Sequence, residues 1–237
     1  MCRLPRAEKF NKLRSMLTLY HFPLVPSCRK IRLMLREKNL EHELVTEEFW
    51  ARRIEFFALN PAGEVPVLLN EKRQPVVGAY AICEYLDEQY PQIQFFGNTP
   101  SERSEVRRLV EWFDVKFDRE VTQLVLFEKL FKRLLGYGEP SSEAIRAGKR
   151  NIVYHLDYIA HLLSSRNWLA GEYLTLADIS AAAHLSCLDY LGDVSWDEHP
   201  SVKEWYALIK CRPAFRDLLD DRVQGFKPPM HYTDPDF

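Results

Sequence analysis

No apolar run in this chain approaches the roughly 20 residues that a membrane-crossing helix needs. Cysteine is sparse and scattered: Cys2, Cys28, Cys83, Cys187 and Cys211 are odd in number and form no Cys-x-x-Cys pair and no Cys/His cluster. That pattern supports neither a disulfide framework nor a zinc site, and the compartment it suits is a reducing cytoplasm. Charge of one sign is also lacking. The net value is −2, so no global field draws nucleic acid or an anionic membrane. No internal repeat and no low-complexity block interrupts the chain.

What is present is apolar content of 46% over 237 residues, enough for one large domain or two small ones. The first fifteen residues carry Arg3, Arg6, Lys9, Lys12 and Arg14 against Glu8. They lack the apolar core of a secretory signal. They are expected to be a short disordered extension, or translation drawn from too early a start with Met16 as the real beginning, rather than a targeting segment.

Leu17-Thr18-Leu19-Tyr20-His21 alternates and is β-rich, which predicts a strand. Pro23 and Pro26 break it. A helix is predicted over 27–38, with Ile31, Met34 and Leu35 inward and Arg29, Lys30, Arg32 and Arg36 on the wet side. A short strand over 43–45 and a second helix over 48–59, with Phe49, Ile54, Phe57 and Ala58 apolar, follow. The stretch Asn60-Pro61-Ala62-Gly63-Glu64-Val65-Pro66-Val67-Leu68-Leu69 then passes from loop punctuation into an apolar run. Pro66 cannot donate to a ladder, so it must open a strand or lie beside one. Chemistry alone favours a trans bond there, since only about 5% of X-Pro bonds are cis. Strands at 67–69 and 76–77 around a polar turn at 70–74, then a helix over 79–89, complete a small mixed sheet covered by helices.

Tyr90-Pro91 ends that helix, and everything beyond the stretch 92–100 is helical in pattern. A long helix is predicted over 101–135, capped by Ser101-x-x-Ser104, with Val106, Leu109, Val110, Phe113, Phe117, Val121, Leu124 and Leu135 inward. Another is predicted over 142–165. Thr175-Leu176-Ala177-Asp178 has the form of a capping box and starts a core helix reaching 191. Two shorter helices, over 201–210 and 214–220, precede a Pro-rich tail. The division is an extension over 1–15, an α/β domain over 16–91, a linker over 92–100, a helical domain over 101–221 and an extended tail over 222–237.

This order, from Leu17 to about Leu219, resembles the glutathione transferase family. The first-helix run Arg29-Lys30-Ile31-Arg32-Leu33-Met34-Leu35, the third-strand run Asn60-Pro61-x-Gly63-x-Val65-Pro66-Val67, Ala81-Ile82-x-Glu84-Tyr85-Leu86, and Leu169-Ala170-Gly171 leading to Thr175-Leu176-Ala177-Asp178-Ile179 carry the likeness. The resemblance implies a fold of α/β plus all-α type: a thioredoxin-like N-terminal domain and a helical C-terminal domain. It implies a cis bond before Pro66, with Val65 offering main-chain groups to the cysteinyl backbone of glutathione. It also implies a homodimer, with Arg103, Arg107 and Arg108 where family partners meet.

Fold does not grant activity. Where the family places an acidic residue and a serine to hold the γ-glutamyl end of glutathione, this chain reads Gly78-Ala79. Two hydrogen bonds to charged groups, worth about 1.5–3 kcal/mol each, are forfeited, and only helix N–H groups beside Ala79 remain to meet a carboxylate. The thiol-activating position of many classes falls on Val25, which donates nothing. Ser27 or Cys28, with Arg29 and Lys30 adjacent, fits the slightly later active pair of some bacterial classes; Tyr20 offers a further hydroxyl. The alternatives are therefore a transferase or thiol reductase using Ser27 or Cys28, or a chain with no required cofactor and at most weak glutathione binding. The tail, with Tyr232, Asp234, Asp236 and Phe237, and the degraded motif resemble the FtsZ-binding branch of the family, whose members are division proteins. That resemblance implies FtsZ as partner. On the predicted second helix, Trp50, Arg52 and Arg53 are a candidate contact face by residue type, since Trp and Arg are frequent hot-spot residues.

Overall fold

The computed structural model describes residues 16–234. The chain divides into two compact units, one ending at Ile93 and the other beginning at Gln94.

In the first unit, strands β1 (Leu17–His21), β2 (His42–Thr46), β3 (Val67–Leu69) and β4 (Pro75–Val77) form one sheet in the order β2-β1-β3-β4. β1 and β2 are parallel across the crossover helix α1 (Pro26–Glu37); β3 is antiparallel to both β1 and β4. The tight turn between β3 and β4 is closed by Asn70. Its Oδ1 accepts from the N–H groups of Lys72 and Gln74, which is why a polar residue starts the turn. Helix α3 (Ala79–Gln89) packs on α1. The buried Lys38 at the end of α1 donates to Asp87 Oδ1 at 3.0 Å and to the carbonyls of Tyr90 and Ile93, tying the end of the unit together.

Two expectations fail here. Arg29, Lys30 and Arg32 are not on a wet face; all three are buried, and only Arg36 of the four basic residues is exposed. Their long stems pack as apolar material while the heads find partners, as Arg29 Nε does on the Pro23 carbonyl at 2.7 Å. The predicted second helix over 48–59 is also broken. Arg52 sits at φ 52, in the left-handed region, between a 3-10 turn (Phe49–Ala51) and the short helix α2 (Ile54–Phe57). The break resets the helical phase, so Ile54, read as inward, is 80% exposed.

The second unit is helical. The long helix α4 covers 100–134. Pro100–Glu111 is α-helical, Trp112–Phe131 is wound wider as a π-helix, and Lys132–Leu134 closes as α. Its cap is Thr99 rather than Ser101, with Pro100 in the first turn, where a missing N–H costs nothing. The wider winding shifts the inward phase: Val125, Leu126 and Leu130 are buried while Leu124 and Leu135 are only half-buried. Helix α5 (Ser142–Leu163) packs along α4, and the two approach closely at Gly148. A Cβ there would lie 2.6 Å from Val125 Cγ2 and 2.9 Å from Leu124 Cβ. Helix α6 (Leu176–Tyr190) is buried along its whole length, and its predicted capping box is formed by Thr175 and Asp178. The buried Asp178 also accepts from Leu169 N–H and Trp205 Nε1. Helices α7 (Pro200–Lys210) and α8 (Arg216–Leu219) complete the set. Phe95 and Phe96, in the stretch read as linker, are buried, and Leu176 N–H donates to the Phe95 carbonyl.

Two histidines are held neutral by burial. His155 accepts from Trp112 Nε1 at 3.1 Å on Nδ1, leaving Nε2 to donate to Glu120; burial pushes its pKa down to about 4 despite that carboxylate. His21 is pushed down to about 3, first by burial and then by Arg32, His42 and Arg29. Unfolded, each titrates near 6.5. The stability they confer is therefore complete above pH 6.5 and lost as pH falls toward the folded values. Thermal melts at pH 7.5 and pH 5 are expected to differ by on the order of 2 kcal/mol per histidine. Equal stability at the two pH values would show that neither is held neutral by the fold.

Candidate functional site

The sheet register gathers the interesting termini at one end. Tyr20 pairs with Val67, Val67 with Val77, and His21 with Thr46. The exits of β1, β2 and β4 and the entry to β3 therefore lie together. From that end depart the N-terminus of α1, the Val65-Pro66 bond, the N-terminus of α3 and the segment carrying Trp50.

Each feature has a local cause. Val65-Pro66 is cis, the form the resemblance implied. The loop before it is fixed by Asn60, whose Nδ2 donates to Glu64 O at 2.7 Å and whose Oδ1 accepts from Ala62 N–H at 3.0 Å. Gly63 adopts φ +68 against the Phe57 ring, where a Cβ would come within 2.8 Å. Pro66 is buried and Val65 half-buried, so Val65 retains some exposure beside the loop. At α3, Gly78 stands at φ 91 as cap with no side-chain hydrogen bond, and half-buried Ala79 opens the helix. No side-chain donor or acceptor is added at that N-terminus by either residue.

At α1 the cap is Val25, again with no side-chain bond, followed by Pro26. Ser27 is half-buried in the first turn. Cys28 is fully buried, with no exposed surface. This corrects its reading as an attacking thiol: a nucleophile needs access, and the sulfur here serves as packed core. Tyr20 is half-buried and tilts against Phe56 at 5.8 Å, a packing role.

Trp50 is half-buried, edge-on to Phe22 at 4.9 Å and to Phe49 at 5.0 Å. Beside it Arg53 pairs with the buried Glu47, whose N–H donates to the His21 carbonyl, and Arg52 lies over the Phe57 ring. With Ile54 exposed, this end of the sheet presents an aromatic and aliphatic surface edged by arginines. The sequence pattern missed Ile54; the only cue was a left-handed break that periodicity cannot register.

The tail departs most from expectation. Asp236 and Phe237 lie outside the described residues. Tyr232 is fully buried, donating to the Leu218 carbonyl at 2.8 Å and standing edge-on to Tyr190 at 5.2 Å. It anchors the tail and is not presented to a partner; a phenol that can reach a backbone acceptor is readily buried. The preceding residues form a 3-10 turn (Met230–Tyr232). Asp234 follows, exposed. Among the described residues, no group of three His, Cys, Asp or Glu side chains is placed to hold a metal, and no helix is long and apolar enough to cross a membrane.

The chain belongs to the glutathione S-transferase family: residues 26–89 match the N-terminal domain model and residues 125–213 the C-terminal one. Among curated relatives it is similar to FtsZ-localized protein A of Caulobacter vibrioides, at 46% identity over 223 residues, spanning 93% of this chain and 98% of that one. Among solved structures, a glutathione S-transferase from Rhodospirillum rubrum is 52% identical, with a TM-score of 0.92 over 94% of this chain and all of that one. FzlA from C. crescentus is 44% identical, with a TM-score of 0.91 over the same shares of each chain, 94% and 100%.

Proposed function

We propose that this chain is a non-catalytic, dimeric family member of the cytoplasm that associates with FtsZ filaments and regulates division. The observation that carries this reading is the end of the sheet itself. The backbone features of a glutathione site persist there, while both side-chain anchors are absent at Gly78-Ala79 and the α1 cap is Val25. The same end offers Trp50, Arg52, Arg53 and the exposed Ile54, types suited to a protein contact. The name of the Caulobacter relative adds support. Tyr232 enters as the anchor of the tail; Asp234, Asp236 and Phe237 are the tail residues proposed to meet the partner.

Co-sedimentation with polymerised FtsZ tests it. The chain is expected to pellet with filaments, and Trp50→Glu to remain in the supernatant while eluting at the same mass, about twice the monomer value, in size exclusion with light scattering. Failure of the unmodified chain to pellet, or a monomeric mass, sinks the respective part.

A second reading, a transferase or thiol reductase, is favoured by the name of the Rhodospirillum structure. Ser27 in the first turn of α1 is then the hydroxyl at work, with Val65, Pro66 and Ala79 lining the glutathione position. Turnover of a chromogenic electrophile with glutathione, abolished by Ser27→Ala, would favour it.

A further inference from the structure

A groove of about 650 Å³ in the helical unit runs between the 3-10 turn Trp196–Glu198, the start of α7 and the tail. Its floor includes the buried ring of Trp196, and its rim includes Met230, 92% exposed. Asp197, Glu198 and Asp234 line it. Of the cations facing it, Lys203 is engaged by Asp197 at 3.1 Å, and His231 directs Nε2 to the buried Asp189 at 3.0 Å. Lys210 lies behind His231, fully buried, donating to its carbonyl. Three carboxylates thus face the opening against Lys203 and His231, so negative charge is in excess there.

The tail wall is built in advance. Lys210 Nζ holds the His231 carbonyl at 2.8 Å, Tyr232 is bonded to Leu218 O, and Asp234 N–H returns to His231 O. A ligand entering here does not have to order that wall, which removes a usual cost of association. Met230 is an exposed, adaptable apolar contact of the kind found in peptide-binding surfaces.

We propose that this groove docks an extended basic segment of a protein partner. A Lys or Arg head sits among Asp234, Glu198 and Asp197, and an aliphatic neighbour lies against Met230 above Trp196. The proposal deepens the partner-binding reading of the tail, yet it needs no particular partner to be tested.

The probe is a labelled nonapeptide of three Gly-Arg-Leu repeats, titrated against the full chain by fluorescence anisotropy. Saturable binding is expected, weakening several-fold as salt is raised. The Asp197→Asn, Glu198→Gln, Asp234→Asn triple variant should bind at least tenfold more weakly, Met230→Ser a few-fold, and the Gly-Glu-Leu counterpart should not bind. Urea midpoints of the variants are read alongside to establish that they fold. No binding at millimolar peptide, or equal binding by the triple variant, overturns the proposal. Peptide binding without FtsZ pelleting supports the groove and removes the filament reading; FtsZ pelleting without peptide binding does the reverse.

Discussion

Asp189→Ala is expected to destabilise the helical unit by about 3–5 kcal/mol, the usual consequence of stripping one partner from a buried ion pair. Asp189 has no exposed surface. Its carboxylate accepts from Trp196 Nε1 at 2.9 Å and from His231 Nε2 at 3.0 Å, and it lies 3.8 Å from the equally buried Lys210 ammonium. Burial lowers the pKa of Lys210, while Asp189 is the first of the groups that push it back up. Removing the carboxylate takes from the buried ammonium the group that does most to favour its charge, and takes from His231 Nε2 an acceptor that helps hold the tail. A domain of this size loses about 2–4 °C of melting temperature per kcal/mol. The companion variant Asp189→Ala with Lys210→Met should recover much of the loss, because no uncompensated charge remains. A single variant that melts within a degree of the parent would refute this account.

Glutathione titrated by calorimetry should bind in the millimolar range or not at all. Two charged hydrogen bonds forfeited at Gly78-Ala79, at about 1.5–3 kcal/mol each, amount to roughly two to four decades of affinity. Ala79→Ser should regain one of them, roughly ten- to a hundredfold, because the helix start is already in place. Gly78→Glu should help less. Nothing crowds a Cβ there, but a φ of 91 is one that a non-glycine residue adopts only at a cost. Micromolar binding by the unmodified chain would contradict the loss argued here and return the enzymatic reading to the front.

Much of the architecture was legible because period and punctuation are local. The strand Leu17–His21, the turn after Leu69, the helix Ala79–Gln89 and the Thr175-Asp178 box follow from alternation, proline placement and capping chemistry. The unreadable parts are those set by distant packing. Buried Arg29, Lys30 and Arg32 carry no local sign of burial. Arg52 breaks a helix whose composition would have continued it. The tail was read as an appendage because its Pro-rich sequence has no helical period, whereas its hold comes from residues such as Lys210 and Leu218 that precede it in the chain. At the candidate site the losses at Gly78-Ala79 and Val25 were visible as missing side chains. The depth of Cys28 and the exposure of Ile54 were not, because accessibility belongs to the folded surface.

Gly148 leaves a mark that descent should record. Where α4 and α5 meet main chain against side chain at this point, their separation is set by a hydrogen atom. An alanine arriving at that column gains helix propensity of about 1 kcal/mol but must push against Val125 and Leu124. Lineages that carry it should carry a trimmed residue at one of those two columns as well, so that paired substitution, not invariance, is the signature of the seam.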